Sequence, residues 1–179
     1  MRTFQIVIVI NILPLHYSRR TDDPNDLCVH GAINVKTGDK VIVNETDGNR
    51  WTLSAAALNF MRTLGGDHET GDLYGQLIPC CGFAMYPAED VETVDIVGCG
   101  NGFDWTIRHR NNEVIHIADR GEQGSISAAE YRQKVMHIAE AVERFYNTSA
   151  PKVMSEDQYD EEGYESFWRE WRTLKQKWL

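Results

Sequence analysis

"SAAEYRQKVMHIAEAVERFY", residues 127–146, decides the fold class of this chain. It opens on Ser127 with Glu130 three residues on, the capping-box pair in which the hydroxyl accepts from a free backbone N–H of the first helical turn. Tyr131, Val135, Ile138, Val142 and Phe145 then recur at helical spacing, so one face is apolar and the other polar. A second long helix follows: beyond "NTSAPKVM" it begins near Ser155 and sets Tyr164, Phe167, Trp168, Trp171, Leu174 and Trp178 along one side. Upstream, the chain is mostly short β-branched runs broken by turn residues. Strands first and long helices last predict an α+β domain: a mainly antiparallel sheet with one short and two long C-terminal helices packed on it, the helical part covering about 127–179.

Working back from this helix, residues 103–110 and 113–119 read as a hairpin turning at Asn111-Asn112. A two-residue turn puts Trp105 and Ile107 on the face of Val114, His116 and Ala118; one extra loop residue puts them with Ile115 and Ile117. The second register buries more apolar surface and is the expectation, with His116 and His109 on opposite faces. Residues 91–99 form a further strand. Residues 27–35 and 40–44, separated by "KTGD", read as another hairpin, and the β-branched run 3–13, ending before Pro14, as a first strand. In "WTLSAAALNFMRTLGG", residues 51–66, Leu53, Ala57, Phe60, Met61 and Leu64 share a helical face, with Gly65-Gly66 as a left-handed stop, so a short helix packs on the sheet.

The 179 residues suit one domain, 1–179. Eighteen basic against 27 acidic side chains leave a formal net charge of −9, which disfavours nucleic acid and anionic membrane and favours basic partners. The opening "TFQIVIVINIL" carries Gln5 and Asn11 and lacks a small-residue cleavage site, so it reads as a buried strand rather than a secretory leader, and no other run approaches a membrane span. Four cysteines at this length do not make a disulfide framework, and reduced thiols in a cytoplasm are the expectation.

Three sequence features invite a chemical reading. "QLIPCCGFAM", residues 76–85, sets Cys80 and Cys81 side by side, and adjacent thiols point apart where zinc prefers a C-x-x-C pair. A composite zinc site from Cys28, His30, Cys80, Cys81 and Cys99 is the alternative to structural thiols, as is a cysteine nucleophile with His30 or His109 as base. "GCGNGFDW", residues 98–105, leads into a strand rather than a helix and reads as a turn, not a phosphate loop. Asp22, Asp23 and Asp26 lack an EF-hand spacing and read as turn residues. Finally, "SEDQYDEEGYESFWREW", residues 155–171, interleaves Glu156, Asp157, Asp160, Glu161, Glu162, Glu165 and Glu170 with Tyr159, Tyr164, Phe167, Trp168 and Trp171. Acids early in a helix suit its dipole, and the aromatic stripe suits a core. An acidic surface with aromatic anchors also suits a basic partner, through Asp157, Asp160, Glu161, Glu162, Tyr164, Glu165 and Trp168.

The phrases "DPNDLCVHG", "WTLSAAALNFMRTL", "LIPCCGFAM" and "EGYESFWREW" resemble those of small bacterial immunity proteins of polymorphic toxin systems. The resemblance implies a small cytoplasmic protein without catalytic activity or cofactor that blocks a cognate basic toxin domain, such as a nuclease, by protein–protein contact. It leaves two other readings open: a metal-dependent or thiol enzyme built on the Cys/His set, and a structural module, monomeric or homodimeric through edge strands or the Trp-rich helix.

Overall fold

The structure is a computed structural model that describes residues 8–12, 22–37, 40–44, 51–71, 73–80, 84–90, 92–118, 121, 123–154 and 156–179. Of the sequence expectations, residues 3–7 and 13 of the first strand, the loop residues 14–21, Cys81 and the helix start at Ser155 lie outside these. In chain order the elements are β1 (Ile8–Ile12), β2 (His30–Gly31), β3 (Ile33–Thr37), β4 (Lys40–Asn44), β5 (Trp51–Thr52), α1 (Leu53–Thr63), β6 (Met85–Pro87), β7 (Val94–Ile96), β8 (Thr106–Arg110), β9 (Glu113–Ile117), β10 (Gln123–Ser127), α2 (Ala128–Asn147) and α3 (Gln158–Trp178).

Among the described residues all the strand pairs are antiparallel: β1-β3-β4, β10-β9-β8, and the ribbons β2-β5 and β6-β7. The chain is therefore α+β, with α2 and α3 packed on the sheets as their apolar stripes require. The capping box is present in part, Ser127 Oγ accepting from Glu130 N at 3.2 Å.

Two expectations need correction. The β8–β9 turn is the two-residue one, pairing Arg110 with Glu113 and Ile107 with His116, because Asn111 and Asn112 both take positive φ, 49° and 64°. That backbone twist matches the twist of the strands, and asparagine tolerates it. Trp105, Ile107, Val114 and His116 are consequently all buried, and His109 shares their face of the hairpin. Apolar area argued for the other register, but one nitrogen of His116 is supported in the core: Trp105 Nε1 donates to its Nδ1 at 2.8 Å, while Nε2 has no hydrogen-bond partner among the described residues. Burial, with a smaller contribution from His109, pushes His116 down to about 3, so the ring is neutral and able to accept that bond.

The short helix α1 is present as expected, and ten of its residues, from Leu53 through Met61 and Thr63, are buried, more than its one apolar face; the second correction concerns its end. The run Ser54-Ala55-Ala56-Ala57 suits that burial, since small side chains let neighbours approach on the faces a surface helix would leave wet. Its start is tied to the sheet by Leu53 N to Val29 O at 2.7 Å and Val29 N to Ser54 Oγ at 3.2 Å. Its end closes through Leu64 N to Met61 O and Gly65 N to Arg62 O, both 3.2 Å. The left-handed glycine stop is absent: Gly65 and Gly66 do not have positive φ.

α2 lays Tyr131, Val135, Ile138, Ala139 and Val142 inward, and α3 lays Gly163, Ser166, Phe167, Glu170 and Trp171 inward. Gly163 sits on the backbone of β6 at Met85, so α3 covers the outer edge of the β6–β7 ribbon, where Pro87 also removes a donor. An exposed strand edge invites pairing with other chains, and here helix and proline both blunt it.

Candidate functional site

The acidic stretch divides on folding. Asp157 is the N-cap of α3, its Oδ1 accepting from Tyr159 N at 2.9 Å. Asp160, Glu161 and Glu165 are exposed, and Glu162 is half-buried and accepts from Gln158 Nε2 at 2.6 Å. Tyr159 stands out at 68% exposure. Tyr164 and Trp168 are half-buried: Trp168 packs edge-on against Tyr146 of α2 at 4.9 Å and against Phe167 at 5.3 Å. These two rings thus lie along the border of the acidic surface and belong partly to the core.

Elsewhere many of the acidic side chains are paired: Glu130 with Lys134, Glu140 with Arg144, Glu143 with Lys175, Asp22 with Lys152, and Glu69 with Arg108. Among the described residues, Asp160, Glu161, Glu162 and Glu165 have no basic partner. The helix dipole accounts for Asp160 and Glu161 in the first turn, but its influence fades before Glu165.

Glu170 leaves this set. It is 6% exposed and receives both Arg62 Nε and Nη2 at 2.7 Å, while Val94 N donates to it at 3.0 Å. Arg62 Nη1 donates to Asn59 Oδ1 at 3.0 Å, Arg62 Nη2 to Val94 O, and Asn59 Nδ2 to Gln76 O at 2.7 Å. One polar network therefore joins α1, α3, β7 and the 76–80 segment. A bidentate guanidinium–carboxylate pair is the form of ion pair that best tolerates burial.

The cysteine expectation is overturned for two of its members. Cys80 and Cys99 form a disulfide with Cα atoms 6.3 Å apart, so in this form their thiolates are available neither to zinc nor as nucleophiles. Cys28 is buried, and His30 lies 3.8 Å from Asp26. Among the described residues no group of three or more His, Cys, Asp and Glu is placed to hold a metal ion. The bond closes a loop of sequence separation 19 that carries the β6–β7 ribbon under α3. Chain entropy gives such a closure about 3 kcal/mol. Reduction should therefore lower the urea midpoint in proportion, whereas an unchanged midpoint would mean the bond adds no constraint. Alkylation in denaturant before any reductant should leave Cys80 and Cys99 unlabelled. Labelling of all four would mean the bond is absent.

The glycine-rich 98–102 segment is a turn built around Gln76. A Cβ on Gly102 would meet Gln76 Cδ at 2.8 Å and Ile78 O at 3.1 Å, and one on Gly98 would meet Gln76 Cδ at 3.1 Å. The glycines make room for that side chain, which explains them without a phosphate. Asp23 and Asp26 accept from Asn25 N and Cys28 N, as turn residues do.

Sequence reasoning missed one further pair. His68 Nε2 and Asp104 Oδ1 are 2.7 Å apart, both partly buried, brought together because residue 68 bridges Ile107 beside β8. Thirty-six positions separate them, and no local motif marks either. Comparison with protein-family models, curated proteins and solved structures finds no match to this chain. Among the described residues no helix is long and apolar enough to cross a membrane.

Proposed function

We propose that the chain is a binding protein of the immunity type, which engages a basic protein partner, a toxin domain, through the exposed N-terminal half of α3. The observation that supports this most directly is the set of carboxylates with no basic partner among the described residues, Asp160, Glu161, Glu162 and Glu165, beside the exposed ring of Tyr159. The chain pairs many of its other surface acids internally, so a concentrated set without basic partners is a surface left for another molecule's cations. The net charge of −9 adds long-range attraction for a basic partner, which speeds encounter and weakens with salt. Tyr159 supplies the amphipathic aromatic contact common at interface centres.

A cytoplasmic inhibitor would keep its thiols reduced, and an inhibitor outside the cytoplasm would carry the Cys80–Cys99 bond. The alkylation count above separates these two placements.

Native mass spectrometry of the protein purified at low salt from the cells that encode it should show a second, basic polypeptide at fixed ratio. Replacing Asp160, Glu161, Glu162 and Glu165 by lysine should then weaken that complex at least about tenfold and flatten its dependence on salt. Unchanged affinity in the quadruple variant would move the interface off α3. A bare chain at low salt would remove the inhibitor reading itself.

A further inference from the structure

The ribbon β6–β7 belongs to a small three-stranded patch. Gly98 N donates to Leu73 O at 2.8 Å and Gly75 N to Ile96 O at 3.3 Å, so residues 73–75 flank β7 on the side away from β6. Side chains alternate between the two faces of such a patch. Met85, Val94 and Ile96 point inward and are buried, which leaves Tyr86, Asp95, Val97 and Tyr74 on the outer face. Tyr86 stands directly opposite Asp95, and Tyr74 opposite Val97. Opposed side chains lie about 4.5–5.5 Å apart, so the four form one continuous row. Both rings are open to solvent, Tyr74 at 59% and Tyr86 at 45% exposure.

The charge around this face has one sign. Between Arg62 and Arg108 the chain carries eight of its 27 acidic side chains and none of its 18 lysines and arginines. Four of the eight are used internally: Asp67 and Glu69 face Arg108, Asp104 engages His68, and Asp90 accepts from Glu92 N and Thr93 N in the turn between β6 and β7. Asp95, on the face itself, and Glu89 and Glu92, in the turn, are exposed and have no basic partner among the described residues. A second copy of this chain would bring the same negative surface against it, and nucleic acid or an anionic membrane is turned away for the same reason. An open strand face offers contact area rather than an enclosure, which suits a macromolecule and not a small ligand.

We propose that the outer face of β6–β7 docks a basic polypeptide, an arginine or lysine of which lies against the ring of Tyr86 and pairs with Asp95. Such a side chain satisfies both groups at once, because its cation stacks on an aromatic face and bonds a carboxylate. Tyr74 and Val97 extend the same row and supply apolar contact beyond the charged pair, the combination of aromatic anchor and polar rim that interfaces use. The proposal rests on the reading of this chain as a binder of a basic protein, and it carries that interface from α3 onto the strand α3 touches. Gly163 lies against the backbone of Met85 and Tyr86, so the outer face adjoins the N-terminal half of the helix.

The test titrates the capped peptide acetyl-Arg-Gly-Arg-Gly-Arg-amide at constant ionic strength and follows backbone amides by NMR at Tyr86, Asp95 and Val97 and at residues 159–165 of α3. Saturable shifts at the three ribbon amides are expected. Their half-saturation concentration should rise at least about threefold in Tyr86→Ser, which removes the ring and keeps the charge, and in Asp95→Asn, each with circular dichroism unchanged. Glu113→Gln, which removes an exposed carboxylate on β9, should leave it unmoved. Linear drift at the ribbon, or the parent curve in Tyr86→Ser, overturns the proposal, since general acidity would then account for the binding. Saturation confined to residues 159–165 also overturns it and leaves the inhibitor reading of α3 in place. Saturation at the ribbon alone supports this surface and moves the interface off α3.

Discussion

Gly163→Ala will destabilise this protein by at least about 2 kcal/mol, although alanine is the better helix former by about 1 kcal/mol in a helix interior. The reason is contact, not propensity. A Cβ on Gly163 would stand 2.6 Å from the carbonyl carbon of Met85 and 3.2 Å from Tyr86 N. Both atoms are backbone, and Met85 and Tyr86 are held by pairing with Ile96 and Asp95, so no flexible side-chain end can turn away. The added methyl must lift α3 off β6, pulling on Phe167 and Trp171, both fully buried one and two turns further along. For a chain of this length the loss corresponds to a fall in Tm of about 4 to 8 °C. Gly66→Ala, where a Cβ meets nothing within 4 Å, is the matched control and should stay within about 0.5 kcal/mol of the parent. Equal urea midpoints for the two variants would mean that α3 does not pack on β6 at this point.

Gly163 also illustrates where sequence reading stops. Periodicity identified both long helices, the cap at Ser127 and the turn at Asn111-Asn112, because each is written in spacings of a few residues. The hairpin of β3 and β4 was legible for the same reason. The short strands β6 and β10 were not: Met85–Pro87 ends in proline, Gln123–Ser127 contains a glycine, and neither carries a β-branched run. They are strands because their partners are already in place. The β8–β9 register failed in an instructive way. Counting apolar side chains ranked Ile115 and Ile117 above His116, and only the donor on Trp105, eleven residues away, makes a histidine acceptable in the core. For the candidate sites, composition marked the exposed carboxylates of α3, but His68 with Asp104 and Cys80 with Cys99 are meetings across 36 and 19 residues that no local pattern encodes.

Glu170 belongs by sequence to the acidic stretch 155–171, yet its burial sets the other large expected effect. Removing Arg62 leaves a carboxylate that is 6% exposed with Val94 N–H as its remaining partner, and breaking a buried pair in this way costs about 3 to 5 kcal/mol. Arg62→Ala should therefore lower the urea midpoint sharply. Glu170→Ala should cost less, because Arg62, with 29% of its side chain exposed, can draw water to the guanidinium and still donates to Asn59 and to the Val94 carbonyl. The order of the two singles is thus set by which charge is stranded deeper. In the double variant Arg62→Met, Glu170→Leu no charge is stranded, and the stability should recover by at least about 1 kcal/mol relative to Arg62→Ala, the coupling expected of contacting residues. If the double variant instead loses the sum of the two singles, the pair is not an energetic unit. The network would then serve to align α1, α3 and β7 through the separate bonds of Arg62 to Asn59 and Val94.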